Sequence, residues 1–129
     1  MIEIDADGWR VLENSPICFI RKKGMLPLPD PVKGGSIQEL KGRLNVNGDG
    51  FILAVAWTLA AFRHTGPFPI LVLNGEHGTA KSSFSRMLRS LIDPNAAPLR
   101  ALPLCDRDLY IAATNSNCLI FDNVSRLPG

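Results

Sequence analysis

One stretch constrains this chain more than any other: Ile70-Leu-Val-Leu-Asn-Gly-Glu-His-Gly-Thr-Ala-Lys-Ser-Ser83. Four consecutive aliphatic residues, Ile70 to Leu73, enter a turn bracketed by Gly75 and Gly78, and the turn closes on Lys81 and Ser82. A continuous apolar run bounded by turn residues is the pattern of a strand buried on both faces, as in parallel sheets. Downstream, Phe84, Met87, Leu88, Leu91 and Ile92 recur at helical spacing, which predicts a helix over Lys81 to Ile92.

Strand, glycine-rich loop, Lys-Ser and helix, in that order, make the layout of a phosphate-binding P-loop. Gly75 and Gly78 let the backbone turn tightly and approach an anion with no Cβ in the way. Successive backbone N–H groups then face one hollow, and a helix opening near Lys81 adds unpaired donors and the positive end of its dipole. The candidate cradle is Gly75, Glu76, His77, Gly78, Thr79, Ala80, Lys81, Ser82 and Ser83. Within it, Lys81 is expected to place its ammonium on the β- and γ-phosphates and Ser82 its hydroxyl on Mg²⁺. The usual G-x-x-x-x-G-K-[ST] spacing has glycine where this chain has Ala80. A negative φ at the helix opening, which alanine accepts, is the expectation there.

Bulk properties set bounds. With 129 residues and 46% hydrophobic content, the chain has the material for one domain, or part of one, with a core. A net charge of +2 is too mild to imply nucleic-acid binding by itself. Cys18, Cys105 and Cys118 are an odd number without C-x-x-C spacing, the pattern of reduced and mostly buried thiols in a cytoplasmic protein. The longest apolar run, Phe51 to Phe62, is too short to span a bilayer and is expected to be a core helix.

Residues 1–47 read as an extension of strands and loops with a short helix. Trp9 to Leu12 and Ile17 to Ile20 are β-type runs, with Glu13-Asn-Ser-Pro16 as the turn between them. Arg21-Lys22-Lys23 is a solvated turn, and Pro27, Pro29, Pro31 and Gly34-Gly35 mark a linker. Ser36-Ile-Gln-Glu39 matches a capping box before a helix that carries Leu40 and Leu44 inward. Residues 48–129 then hold the phosphate-binding unit. Asp49 is the expected N-cap of a helix from Phe51 to Arg63, apolar almost all round and so expected between other elements, with Trp57 in the core.

After the loop and its helix, Asp93-Pro94 ends the helical pattern. Leu99 to Leu102 is a candidate second strand and Asp106 to Thr114 a helix with acids in its first turn. Cys118-Leu-Ile-Phe-Asp122 is a third apolar run that ends in an acid. In an open parallel sheet, ligands lie beyond the carboxyl ends of strands. Asp122 is therefore expected beside the loop, opposite Ser82, where it holds Mg²⁺ directly or through water, the Walker B role. The alternation predicts an α/β fold: an incomplete P-loop NTPase three-layer sandwich with a parallel sheet, preceded by a small β/helical extension.

With both motifs present, Gly66 to Ser83 and Asp108 to Pro128 resemble bacterial and phage-associated ATP-binding proteins of the AAA+ or superfamily-3-helicase-like kind, often encoded on mobile elements. The resemblance implies ATP binding with Mg²⁺ and ATP hydrolysis coupled to DNA replication or transfer, with DNA as a partner and a homo-oligomer in a full-length form. It makes Lys81, Asp122 and Asn123 the candidate catalytic residues. Two departures matter. Many such ATPases follow the aspartate with a glutamate that polarises the attacking water; Asn123 can orient a water but cannot take its proton, so hydrolysis is slow or uses another group. Glu76 and His77 are alternatives by proximity alone. The chain also stops seven positions after Asp122, and so reads as the N-terminal portion of a longer protein. A non-catalytic nucleotide-binding module, or an inactive fragment, is the alternative function. A small-molecule kinase is disfavoured, because nothing resembles an acceptor-binding lid.

Overall fold

The computed structural model describes residues 1–14, 16–18 and 20–124. It opens with a hairpin of β1 (Ile2–Asp5) and β2 (Gly8–Val11), paired antiparallel with Ile2 opposite Val11 and Ile4 opposite Trp9. The two-residue turn is set by Asp5, whose Oδ1 accepts from the Asp7 amide at 3.0 Å, and by Gly8 at φ +128°. Short acidic side chains and glycine favour such turns. Arg10 bridges Glu3 and Asp5 on the exposed face, a pairing that adds little stability. The expected strand at Trp9 is therefore present, but its partner lies upstream. Residues 17, 18 and 20 are not in a strand, and Phe19 lies outside the described residues. The Asp5-to-Gly8 turn closes a hairpin sooner than Glu13 to Pro16 can.

Among the described residues four helices follow: α1 (Ile37–Arg43), α2 (Asp49–Ala61), α3 (Lys81–Ile92) and α4 (Asp106–Thr114). Ser36 caps α1 as its sequence suggested, its Oγ accepting from the Gln38 amide at 3.2 Å. Asp49 does not cap α2; Gly48 does, at φ +47°, which places Asp49 inside the first turn, where its charge meets the positive end of the helix dipole. The core is a small cluster of Leu44, Phe51, Ala54, Phe84 and Leu88, which brings α1, α2 and α3 together. Half-buried Trp57 packs on it, and its indole N–H donates to the Pro69 carbonyl at 2.9 Å, tying α2 to the chain that enters the glycine loop.

Two expectations about burial are corrected. Helix α2 buries only the stripe Phe51, Ala54 and Thr58, while Ile52, Leu53, Leu59 and Phe62 are exposed. An all-apolar helix is wedged only where elements cover every side, and here α1 and α3 cover one. Among the three cysteines, Cys118 alone is buried; Cys18 and Cys105 are exposed.

The parallel three-layer sandwich is also overturned. Among the described residues the only sheet is the two-stranded antiparallel hairpin. Ile70 to Leu73 forms no strand: Leu71 and Leu73 pack on the core while Ile70 is 88% and Val72 69% exposed. The run is thus buried on one side, and a four-residue apolar sequence cannot by itself supply the two flanking strands that a central position requires. The two later runs meet in a single parallel bridge between Arg100 and Phe121, where Arg100 N donates to Ile120 O at 3.0 Å and Asp122 N to Arg100 O at 2.9 Å. A second bridge, antiparallel, docks Met25 against Asn95 and so lays the N-terminal extension on the chain that leaves α3. No described helix is long and apolar enough to cross a membrane.

Candidate functional site

Residues 75–80 form a loop that folds back on itself before α3. Thr79 Oγ1 donates to the Glu76 carbonyl at 2.8 Å and lies where a Cβ on Gly75 would approach to 2.8 Å, so a side chain at position 75 would force the Thr79 hydroxyl to move. Gly78 turns at φ +83°. Ala80 is left-handed, at φ 62° and ψ 21°, which corrects the expectation of a negative φ. The position calls for glycine, as the usual spacing has it, and an alanine there costs about 1–2 kcal/mol.

Lys81 opens α3 and its ammonium donates back into the loop, to Gly75 O at 2.7 Å, Glu76 O at 2.6 Å and Thr79 Oγ1 at 3.3 Å. The cation therefore sits at the mouth of the loop and holds it by contacts to neutral oxygens. No side chain caps the N-terminus of α3, and its first turn carries no acid. Unfilled amides, a helix dipole and one ammonium together favour an anion.

The second half of the site comes from forty residues away. Ser82 Oγ donates to Asp122 Oδ2 at 2.7 Å. The bridge at Arg100 carries Asp122 into place, and Asp122 Oδ1 in turn accepts from the Asn123 amide at 3.0 Å. Asn123 is itself left-handed, at φ 56°, and exposed, so its backbone rather than its side chain contacts Asp122. Glu76, His77 and Ser83 lie at the exposed surface of the loop and first turn. Among the described residues no three His, Cys, Asp or Glu side chains come together as a metal cage. A hydroxyl beside one carboxylate is nevertheless a fit for Mg²⁺, which takes few protein oxygens and completes its shell with water and phosphate.

What holds the two halves in register was not recognised in the sequence. Arg89 is fully buried, one face round from the apolar stripe of α3. Its guanidinium donates to Asp93 O at 3.2 Å, Pro98 O at 2.7 Å and Ser116 Oγ at 3.3 Å, and lies 3.5 Å from the buried Asp93 carboxylate. Asp93 Oδ2 also accepts from the Asn117 and Cys118 amides at 3.0 and 3.1 Å. One buried ion pair thus ties the end of α3 to the segment that leads into Asp122. The adjacent Cys118 thiol is pushed up by burial, an effect that Arg89 opposes and Asp93 reinforces. The available signal was the i,i+4 spacing of Arg89 and Asp93. In a sequence such a pair is indistinguishable from a solvated one.

A family model described as "Actinomycete integrative conjugative element replication protein" matches residues 38–129. No curated protein and no solved structure matches the chain.

Proposed function

The chain belongs to the actinomycete integrative conjugative element replication protein family, and we propose, from the geometry of residues 75–83 with Asp122, that it serves mobile-element replication in the cytoplasm by binding ATP with Mg²⁺. The triphosphate is taken by residues 75–83, with Lys81 exchanging its loop oxygens for phosphate oxygens and the open amides of α3 facing the same charge. Ser82 and Asp122 would hold Mg²⁺, which supplies charge neutralisation to the phosphates.

The observation that supports this most is the 2.7 Å contact between Ser82 and Asp122. Two oxygen donors expected to share one metal stand side by side across forty residues. The support is local to these side chains and does not draw on a parallel sheet. Binding without efficient turnover is the form of activity favoured, because Asn123 follows Asp122 with no carboxylate and its left-handed backbone faces Asp122.

Lys81→Ala tests the reading directly. Removing the ammonium is expected to abolish ATP binding by isothermal titration with Mg²⁺ present, while the fold, followed by circular dichroism, is retained. Unchanged affinity in that variant rules out the role given to Lys81.

A further inference from the structure

The chain from Asp93 to Arg100 brings Asp122 to Ser82, and two sets of contacts hold it. The first is the buried pair: Arg89 donates to Pro98 O at 2.7 Å, and Asp93 Oδ2 accepts from the Asn117 and Cys118 amides. The second comes from residues 22–26, near the start of the molecule. The Leu26 amide donates to Pro94 O at 2.8 Å and the Ala96 amide donates to Gly24 O at 2.9 Å, on either side of the bridge between Met25 and Asn95. Just past Ala96, the Arg100 amide donates to Ile120 O and the Arg100 carbonyl accepts from the Asp122 amide. Main-chain bonds alone thus lead from residues 22–26 to Asp122.

The sequence makes this second contact close but short. Lys22 to Met25 is a tight turn, closed by the Met25 amide on Lys22 O at 3.1 Å, with Gly24 at φ +89°, where glycine carries no steric penalty. A Cβ on Gly24 would stand 3.3 Å from Oδ1 of the buried Asn95, so glycine also lets the turn lie close on that side chain. Pro27, Pro29 and Pro31 have no N–H to offer, and the pairing cannot lengthen into a ladder. Residues 26–36 are in neither helix nor strand, and Lys22, Lys23 and Leu26 are exposed. A surface contact of two main-chain bonds opens far more readily than a packed core.

We propose that residues 22–26 are a releasable strap that governs how firmly Asp122 is held beside Ser82. Closed, it keeps the 93–100 chain taut; open, it lets Arg100 and Asp122 part and the Ser82–Asp122 pair loosen. The strap lies upstream of residues 38–129, so the control comes from outside the stretch that the family model covers. The inference rests on the nucleotide reading only for what the loosened pair does to Mg²⁺.

Amide hydrogen exchange of the 129-residue chain, followed residue by residue by NMR, tests the strap without nucleotide. Leu26→Pro deletes the donor to Pro94 O. Gly24→Ala strains the turn and crowds Asn95, and Leu28→Pro, beyond the bridge, controls for the proline itself. Loss of one bond in Leu26→Pro should quicken exchange at the Arg100 and Asp122 amides by about twofold to tenfold, with α2 unchanged. Gly24→Ala should act in the same direction and Leu28→Pro should have no effect. Unaltered exchange at Arg100 and Asp122 in the strap variants overturns the inference. Equal quickening in α2 also overturns it, because the strap then serves only the fold as a whole. If Leu26→Pro loses its circular dichroism signal, Gly24→Ala carries the same comparison. In ATP titrations the strap variants should show a smaller gain in affinity from Mg²⁺ than the parent. A variant that frees Asp122 yet keeps the parent's full Mg²⁺ response overturns the link to the metal. Quickened exchange at Asp122 in a chain that takes up no ATP would instead strike the nucleotide reading and leave the strap standing.

Discussion

The two ends of α3 are held by opposite means. At its C-terminal end Arg89 and Asp93 are sealed from solvent, and their polar atoms reach Pro98, Ser116, Asn117 and Cys118. At its N-terminal end Lys81 is tied only to loop oxygens at the surface, behind an alanine in a left-handed conformation. Contacts of the first kind cannot be exchanged without leaving a charge buried alone. Those of the second kind can be handed to an incoming anion at little cost. One helix thus joins a fixed anchor to an adaptable mouth, and Ser82 sits between them with Asp122 brought alongside by the anchored segment.

The contrast predicts unequal responses to substitution. Arg89→Ala should destabilise the chain by about 3–5 kcal/mol in urea unfolding, because it strands Asp93 as a buried unpaired charge. A loss below about 1 kcal/mol, the scale of a surface pair, would mean that this end is not the anchor. Ala80→Gly should act in the other direction and more weakly. Relief of the left-handed strain, about 1–2 kcal/mol, is offset by the greater freedom of glycine in the unfolded chain, about 0.4–1 kcal/mol, leaving a gain of about 0.5–1 kcal/mol. Destabilisation by this change would show that the loop does not need its left-handed turn.

The smallest effect belongs to Cys118. Its thiol is raised above the usual value of 9.0, so the folded state holds that proton more tightly than the unfolded state does. The sign follows directly: the contribution is fully present below about pH 9 and is lost as pH climbs through the raised value. Cys118→Val should therefore flatten the alkaline decline in stability relative to the parent chain, as read by urea unfolding at several pH values. A thiol reagent should modify Cys18 and Cys105 at once and Cys118 only as the anchored end opens. Equal rates at all three would contradict the seal around Arg89.

Local signals proved legible. The cap at Ser36, the helix from Lys81 to Ile92 and the helix from Asp106 to Thr114 follow from spacing, turn chemistry and Pro94, all written within a few residues. Ser82 and Asp122 were expected to meet at the carboxyl ends of a parallel sheet that is not there; they meet because the bridge at Arg100 and the buried Arg89–Asp93 pair lay the later segment along α3. The sheet was not legible. Runs such as Ile70 to Leu73 record that some side chains are covered, but not whether strands flank them, and here alternate residues face solvent. The full exposure of one side of α2 was hidden for the same reason, because composition does not name the neighbour. Arg89 was missed because a charged residue on a helix is ordinarily solvated, and only its partners from residues 93, 98 and 116 make its burial possible.

Central to this account is a divalent ion shared by Ser82 and Asp122 beneath a bound triphosphate. ATP titrated into the parent chain and into Asp122→Asn, each with and without Mg²⁺, tests it most directly. The parent should bind more tightly when Mg²⁺ is present, and the variant should keep the weaker, metal-independent affinity. A parent that binds ATP equally well without Mg²⁺, or a variant whose Mg²⁺ response matches the parent's, would contradict it.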